Sequence, residues 1–200
     1  MKPVKVGICG LGTVGGGTFN VLTRNAQDIA RRAGREIIIE QVATRHPNPN
    51  VNTGAVKITE QAMDVVNNPD IDIVVELIGG YTIAKEIVLG AIANGKHVVT
   101  ANKALIAVHG DEIFAAAEAK GVKVMYEAAV AGGIPVIKAI REGLAANRIN
   151  WLAGIINGTG NFILTEMRDK GRDFADVLAE AQALGYAEAD PTADIDGWDI

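Results

Sequence analysis

Residues 4–15 read VKVGICGLGTVG, and this stretch decides the fold. An apolar run typical of a buried strand leads directly into a turn with three spaced glycines, and helix-forming sequence follows. In such a turn Gly10 allows the tight bend, Gly12 lets a pyrophosphate approach the backbone, and Gly15 lets the helix pack on the strand. The stretch therefore predicts a dinucleotide site at the positive end of a helix dipole. A purely structural glycine turn is the alternative interpretation.

The composition limits the classes of partner. The 200 residues are 48% hydrophobic and 22% charged, which is ordinary for a globular α/β protein. A net charge of −5 argues against nucleic-acid or anionic membrane partners, because these attract basic surfaces. The single cysteine, Cys9, lies in the apolar first strand, where a buried and inert thiol is expected. No internal disulfide is available and no apolar run reaches the roughly 18 residues of a membrane span, so a cytoplasmic location is favoured.

Strands and helices alternate along the chain. Strands are predicted over residues 4–9, 36–44, 71–77, 97–100 and 122–126, and helices over residues 18–33, 59–67, 82–94 and 111–120. Parallel strands joined by right-handed helical crossovers form a doubly wound sheet. The prediction is an α/β fold with a Rossmann-type parallel sheet over residues 1–130. Beyond it, helices are predicted over 135–144, 157–170 and 173–184, and a strand over 150–156.

Two basic residues follow strands of the predicted sheet, at the edge where such sheets bind ligands. Arg45 stands at the tip of the second strand, where an acid usually bonds the ribose hydroxyls. An arginine there favours NADP(H) over NAD(H), with Lys57 as a second candidate contact, although a solvated loop residue is an equal alternative for Arg45. Lys103 begins the segment after the fourth strand, where it could meet nicotinamide, phosphate or substrate.

Three later segments carry polar groups. Residues 127–135 follow the fifth strand, and Glu127 with neighbouring backbone oxygens suits a hard cation. Residues 157–162, NGTGNF, suit either a substrate-binding turn or a helix N-cap. The tail holds five carboxylates within twelve residues, and their spacing does not fit an EF-hand loop. A site that binds an ammonium group or a catalytic lysine explains them better than a solvated acidic loop does.

These motifs resemble the homoserine dehydrogenase family. The resemblance runs through residues 10–15, 100–103, 127–135 and 157–164, and most specifically through the tail order Ala181, Gly185, Asp190-Pro191, Asp194, Gly197 and Asp199. The family interconverts L-aspartate 4-semialdehyde and L-homoserine with NAD(P)H, at the branch leading to threonine, methionine and isoleucine. The resemblance implies that residues 131–200 begin an α+β substrate and dimerisation domain. It further implies a small-molecule substrate and a homodimer for the full-length protein.

The resemblance also implies roles for individual residues. It implies cofactor contacts at Gly10, Gly12, Thr13, Val14, Gly15, Arg45, Lys103 and Gly185. It implies substrate contacts at Thr159, Glu188, Asp194 and Asp199, and catalytic roles for Lys103 and Asp199. It implies a monovalent cation, with Na⁺ as the candidate, at Glu127 and the carbonyls of Val130, Gly132 and Ile134.

The family signature continues to a lysine four residues beyond Asp199, which would fall past Ile200. That lysine is the expected proton donor, because hydride transfer to an aldehyde builds alkoxide charge that a nearby ammonium must neutralise. Full activity is therefore not expected of these 200 residues alone. Two alternatives stay open at this point: a non-catalytic nucleotide-binding module, and an oxidoreductase of the same fold that acts on another aldehyde or amino acid.

Overall fold

The computed structural model describes residues 1–155, 157–187, 191, 192 and 196. Its internal contacts divide the chain into two units, Met1–Ala145 and Ala146–Ile200. The first unit extends beyond residue 130, because the short helical turns after the last strand contact the sheet and one another. Among the described residues, no helix is both long enough and apolar enough to cross a membrane.

The first unit is built on six parallel strands in the order β3-β2-β1-β4-β5-β6. The strands are β1 Val4–Cys9, β2 Ile37–Ala43, β3 Lys57–Thr59, β4 Ile73–Glu76, β5 His97–Thr100 and β6 Val124–Met125. The direction of winding reverses between β1 and β4, and doubly wound sheets bind ligands beyond the strand ends at this switch point. The predicted Rossmann-type sheet is confirmed. The sequence pattern does not predict the short edge strand β3. The helix predicted over 59–67 includes its last residue, Thr59.

Five helices connect these strands. They are α1 Thr13–Arg24, α2 Ala26–Ala33, α3 Ala62–Asn67, α4 Thr82–Ala93 and α5 Lys103–Lys120. The single helix predicted over 18–33 is wrong, because the backbone leaves the helical conformation at Asn25, with ψ of 18°. The predicted start of α5 at residue 111 is also wrong. The Asn102 side chain caps the helix much earlier by accepting the Leu105 N–H at 3.0 Å.

Hydrophobic clusters cover both faces of the sheet. Alternation along β1 sends Val6 and Ile8 towards Phe19 of α1, and Cys9 towards the cluster formed with α3, α4 and α5. The predicted burial of Cys9 is confirmed. Burial raises the pKa of its thiol to about 12, and the negative charge of Glu76 adds to the shift. A thiol with so high a pKa stays protonated at neutral pH and is a poor nucleophile.

In the segment after β6, the helix predicted over 135–144 forms over residues 136–143 as two adjoining pieces. A 3₁₀ turn covers Glu127–Ala129, α6 covers Val136–Lys138, and a π-helical turn follows over Ala139–Gly143. Between them, Ala131 takes a positive φ of 48° and Gly133 one of 84°. Those left-handed conformations separate the 3₁₀ turn from α6 and keep the two from joining into one helix.

The second unit contains two described helices, α7 Gly158–Lys170 and α8 Phe174–Ala183. Ile163, Val177 and Ala181 form its small core. The strand predicted over 150–156 is not formed in residues 150–155, and Ile156 lies outside the described residues. Trp151 is 79% exposed there. A strand requires a partner to pair with, and the described part of this unit contains none.

Candidate functional site

A cleft of about 850 Å³ lies beyond the carboxyl ends of the strands around β1. Its walls come from the glycine-rich turn after β1, the long loop after β2, and the turns after β3 and β4. The lining residues are 10–13, 16, 17 and 20, then 43–51, then 60–62, and finally 77, 78 and 83. The cleft is therefore at the position where a doubly wound sheet binds a dinucleotide.

The three fingerprint glycines have different surroundings. Gly10 has a φ of +100°, and a Cβ there would lie 2.5 Å from the carbonyl oxygen of Leu77. A Cβ on Gly15 would overlap the carbonyl oxygen of Gly10. At Gly12 no described protein atom lies within 4 Å of where a Cβ would stand. Packing of the protein therefore requires Gly10 and Gly15, whereas Gly12 keeps open space that a pyrophosphate can fill.

The helix after the fingerprint supplies the next candidate contacts. Thr13 is the first residue of α1 and lines the cleft. Val14 follows with 56% of its surface exposed, but it is not a lining residue. α1 carries no acidic residue in its first turn, so its unpaired N–H groups and dipole leave a positive end for an anion.

The part of the cleft beyond β2 and β3 carries both a base and an acid. Arg45 lies in the loop after β2 and lines the cleft, as predicted. Lys57 is the first residue of β3 and is not a lining residue, so the structure does not place it with Arg45. Glu60 follows the end of β3 and lines the same cleft. The sequence analysis missed Glu60 because β3 itself was not predicted, so this acid was not expected to neighbour the tip of β2.

Asn48 connects two walls of the cleft. Its side-chain amide donates to the carbonyl oxygens of Leu11 at 2.8 Å and of Gly12 at 3.1 Å. Its side-chain oxygen accepts the N–H of Asn50 at 3.0 Å. The sequence analysis missed this residue. The available signal was its position between Pro47 and Pro49, two residues that restrict the backbone around it.

A buried carboxylate organises the other side of the switch point. Glu76 at the end of β4 is fully buried and accepts the Ile78 N–H at 2.8 Å and the Thr100 hydroxyl at 2.6 Å. The hydroxyl oxygen of Thr100 in turn accepts the N–H of Asn102 at 3.1 Å. The Asn102 side chain donates to the carbonyl oxygen of Gly80. These bonds tie the turn after β4 to the start of α5.

Lys103 is exposed at the first residue of α5, directly after the capping residue Asn102. Its position at the carboxyl end of β5 is the one predicted. The sequence analysis missed the network that positions this end of the helix. A charged residue that closes the apolar run of β4, Glu76, was the signal that could have revealed it.

The predicted cation site lies in the turns after β6. Both carboxylate oxygens of Glu127 accept backbone N–H groups, from Ile137 and Lys138, each at 2.9 Å. The carbonyl oxygen of Ile134 accepts the Val136 N–H at 2.8 Å. Glu127 therefore caps the helix that begins at Val136, and its cation contact stays a prediction. The described residues contain no cluster of three His, Cys, Asp or Glu side chains that could hold a metal.

The second unit contains the remaining predicted residues. Thr159 is buried, and its hydroxyl donates to the carbonyl oxygen of Tyr186 at 2.7 Å, which joins α7 to the segment after α8. The N-cap role expected in residues 157–162 is confirmed, since the Asn157 side chain accepts the Gly160 N–H. Gly185 ends the turn after α8 with a φ of +76°. The predicted substrate contacts Glu188, Asp194 and Asp199 lie outside the described residues.

Comparison with known families identifies both units. The model described as homoserine dehydrogenase, NAD binding domain, matches residues 10–127. The model described as homoserine dehydrogenase matches residues 135–200. The chain belongs to the homoserine dehydrogenase family. The resemblance stated from the sequence is confirmed, and the first unit is the family's nicotinamide-cofactor-binding domain.

Relatives and solved structures agree with this assignment. A homoserine dehydrogenase of Pseudomonas aeruginosa is 78% identical over 199 residues, covering 100% of this chain and 46% of that protein. A crystal structure of a homoserine dehydrogenase from Thiobacillus denitrificans has a TM-score of 0.92 at 66% identity, covering 100% of this chain and 46% of its own. The structure of a hyperthermophilic archaeal homoserine dehydrogenase in complex with NADPH has a TM-score of 0.82 at 27% identity. That match covers 99% of this chain and 66% of the archaeal chain. The chain spans about half the length of the first two relatives.

The fingerprint geometry predicts opposite effects of two alanine substitutions. Gly15→Ala should lower the free energy of unfolding by about 1–3 kcal/mol, because the new methyl group overlaps backbone that cannot move independently. Gly12→Ala should leave stability nearly unchanged and raise the Kd for NADPH at least about tenfold, since the methyl group occupies the open space. Urea unfolding followed by circular dichroism and an NADPH fluorescence titration measure the two quantities. Equal destabilisation by both variants would contradict this division of roles.

The Glu76 network predicts a difference between two substitutions at one position. Glu76→Ala leaves the Thr100 hydroxyl and the Ile78 N–H without their acceptor and should cost about 2–4 kcal/mol of stability. Glu76→Gln should cost less, about 1–2 kcal/mol, because its oxygen can still accept the Ile78 N–H, whereas the Thr100 hydroxyl loses its acceptor. Urea unfolding measures both, and hydrogen exchange of residues 77–80 should accelerate in the alanine variant alone. Similar losses in both variants would show that the carboxylate charge matters more than the bonding pattern.

Proposed function

We propose that the chain is the cofactor-binding part of an enzyme that interconverts L-aspartate 4-semialdehyde and L-homoserine with NADP(H). The observation that carries the proposal is the cleft in which open space over Gly12 meets the start of α1 and the basic side chain of Arg45. Family membership supports the reaction. The archaeal homoserine dehydrogenase in complex with NADPH supports the cofactor class.

The residues of the first unit suit the binding of such a cofactor. The N–H groups of the first turn of α1 would hold the pyrophosphate, and Gly12 would let it approach the backbone. When bound, the nicotinamide supplies the hydride for the reaction. The open space at Gly12 and the acid-free first turn of α1 both suit this group.

Lys103 is the proposed cationic group of the first unit in the reaction. Its position after β5 is at the edge of the sheet where nicotinamide and substrate are expected. An ammonium near the aldehyde oxygen stabilises the negative charge that develops as the oxygen becomes an alkoxide. The substrate is proposed to be held through its ammonium group and the proton-transfer network. The residues proposed for this are Thr159, Glu188, Asp194 and Asp199.

The positive charge of Arg45 at the proposed adenosine end of the cleft favours NADP(H). NAD(H) is the alternative cofactor. The guanidinium of Arg45 can pair with a 2′-phosphate, for which its planar fork is suited. Glu60, which lines the same cleft, would repel that phosphate and could bond free ribose hydroxyls instead. We propose that these opposing charges make the preference for NADP(H) moderate.

The remaining proposals concern a cation and the assembly. A monovalent cation such as Na⁺ is proposed at Glu127 with the carbonyls of Val130, Gly132 and Ile134. Carboxylate oxygens that accept one N–H each still have lone pairs for a hard cation, which supports the proposal. A homodimer is proposed for the full-length protein, on the basis of the family resemblance.

The reaction is tested by the initial rate of L-homoserine-dependent NADP⁺ reduction at alkaline pH. The assay compares this chain with one extended to the length of its relatives, with NADPH binding measured on both. We expect turnover in the extended chain and binding in both. Binding without turnover in either chain would favour a non-catalytic module, and turnover with another aldehyde would favour a related oxidoreductase.

The cofactor preference predicts a charge-dependent effect at Arg45. Arg45→Gln should raise the Kd for NADPH about tenfold, since a charged hydrogen bond is worth about 1.5–3 kcal/mol, and should leave the Kd for NADH within about twofold. Glu60→Gln should tighten NADPH binding instead. Fluorescence titration with both cofactors measures these changes, and Glu118→Gln, on the exposed end of α5, is the matched control. Equal weakening of both cofactors by Arg45→Gln would exclude a contact with the 2′-phosphate.

A further inference from the structure

The loop after β2 is held against the glycine-rich turn by a small set of hydrogen bonds. The Asn48 amide donates to two consecutive carbonyl oxygens, those of Leu11 and Gly12, at 2.8 and 3.1 Å. The Asn20 amide of α1 donates to the carbonyl oxygen of Asn50 at 3.1 Å, so the loop is held at a second point. The donor and acceptor residues of all these bonds line the cleft.

The contact is close, and it restricts the neighbouring helix. A Cβ on Gly16 would lie 2.7 Å from the Asn48 side-chain nitrogen and 2.9 Å from Val51. The loop is therefore seated directly on the first turn of α1, at a glycine that lies outside the three-glycine fingerprint. Pro47 and Pro49 flank Asn48 and fix their own φ angles, so the loop has few other conformations available.

The same bonds affect the ligand-facing side of the turn. Asn48 binds the carbonyl oxygens of Leu11 and Gly12, and the Gly12 oxygen also accepts the Gly16 N–H of α1 at 2.8 Å. The negative ends of these two peptide dipoles are therefore engaged within the protein, and the N–H groups at the start of α1 are left for a phosphate. Arg45 belongs to the loop that Asn48 and Asn20 hold, so the bonds of Asn48 connect the pyrophosphate wall with the loop that carries the proposed 2′-phosphate contact.

We infer that Asn48 is a positioning residue that preorganises the adenosine half of the cofactor site. The inference rests on the proposed function, because it takes NADP(H) as the ligand of the cleft. A loop that is already ordered before binding loses little conformational entropy when the ligand arrives. Without the Asn48 bonds, the loop would keep the Asn20 bond and the packing of Val51 on the core, and the ligand would have to order the residues between them and β2. Affinity for the adenosine half would then fall.

The test compares Asn48→Ala and Asn48→Asp with the unmodified chain, using 2′,5′-ADP and reduced nicotinamide mononucleotide as probes. Asn48→Asp keeps the acceptor for the Asn50 N–H but places a carboxylate against two carbonyl oxygens. Isothermal titration should show the Kd for 2′,5′-ADP raised about tenfold in both variants, as expected for the loss of two hydrogen bonds. The Kd for the mononucleotide, which lacks the adenosine half, should stay within about twofold.

A second readout separates positioning from a general loss of structure. Amide hydrogens of residues 45–51 should exchange faster in free Asn48→Ala than in the unmodified chain, and should regain protection when 2′,5′-ADP is added. Asn52→Ala is the matched control, because Asn52 lies in the same loop, accepts the Gly54 N–H at 3.1 Å and does not line the cleft. Its affinity for 2′,5′-ADP should be unchanged.

The outcomes distinguish the inference from the proposed function. If the unmodified chain binds neither NADPH nor 2′,5′-ADP, the proposed function fails and the inference fails with it. If the unmodified chain binds both and Asn48→Ala binds 2′,5′-ADP equally well, only the inference is overturned. Equal weakening of both probes would also overturn it, since the residue would then support the whole domain and not the adenosine half.

Discussion

The rest of the structure depends on the close packing of Gly15 against the carbonyl oxygen of Gly10. Because residue 15 has no Cβ, α1 begins directly above the end of β1, at the switch point of the sheet. The free N–H groups of its first turn then face the cleft together with the positive end of the helix dipole. A larger side chain at that position would move the helix away and remove the surface on which the loop after β2 is seated.

Hydrophobic periodicity was sufficient to predict the parallel sheet, because strands buried on both faces are nearly continuous apolar runs. Features without such a pattern were missed. The strand β3, Lys57–Thr59, has three residues, too few for an alternation to be visible. The break at Asn25 lies within an apolar spacing that continues across it, so the pattern predicts one helix where the backbone forms two.

The strand predicted over 150–156 illustrates a different limit. Its residues have a strand-like sequence, and Trp151, Leu152 and Ile155 remain between 73% and 79% exposed. An isolated strand leaves its N–H and C=O groups without partners and its apolar side chains in water. Local sequence can therefore indicate the tendency to form a strand, whereas the strand itself depends on a partner elsewhere in a sheet.

Some features of the candidate site depend on residues close in sequence, and others depend on residues far apart in sequence. The roles of the fingerprint glycines follow from spacing alone, since one turn contains all three. Asn48 bonds Leu11, 37 positions away, and only the pairing of β1 with β2 brings the two together. Glu76 bonds Thr100, 24 positions away, and only the pairing of β4 with β5 does the same for them. The two sets of bonds lie on opposite sides of the switch point. The apolar core beneath them anchors each loop at only one or two side chains, namely Leu11, Val51, Val56 and Leu77. Polar bonds between the loops therefore supply the remaining constraints on the shape of the cleft.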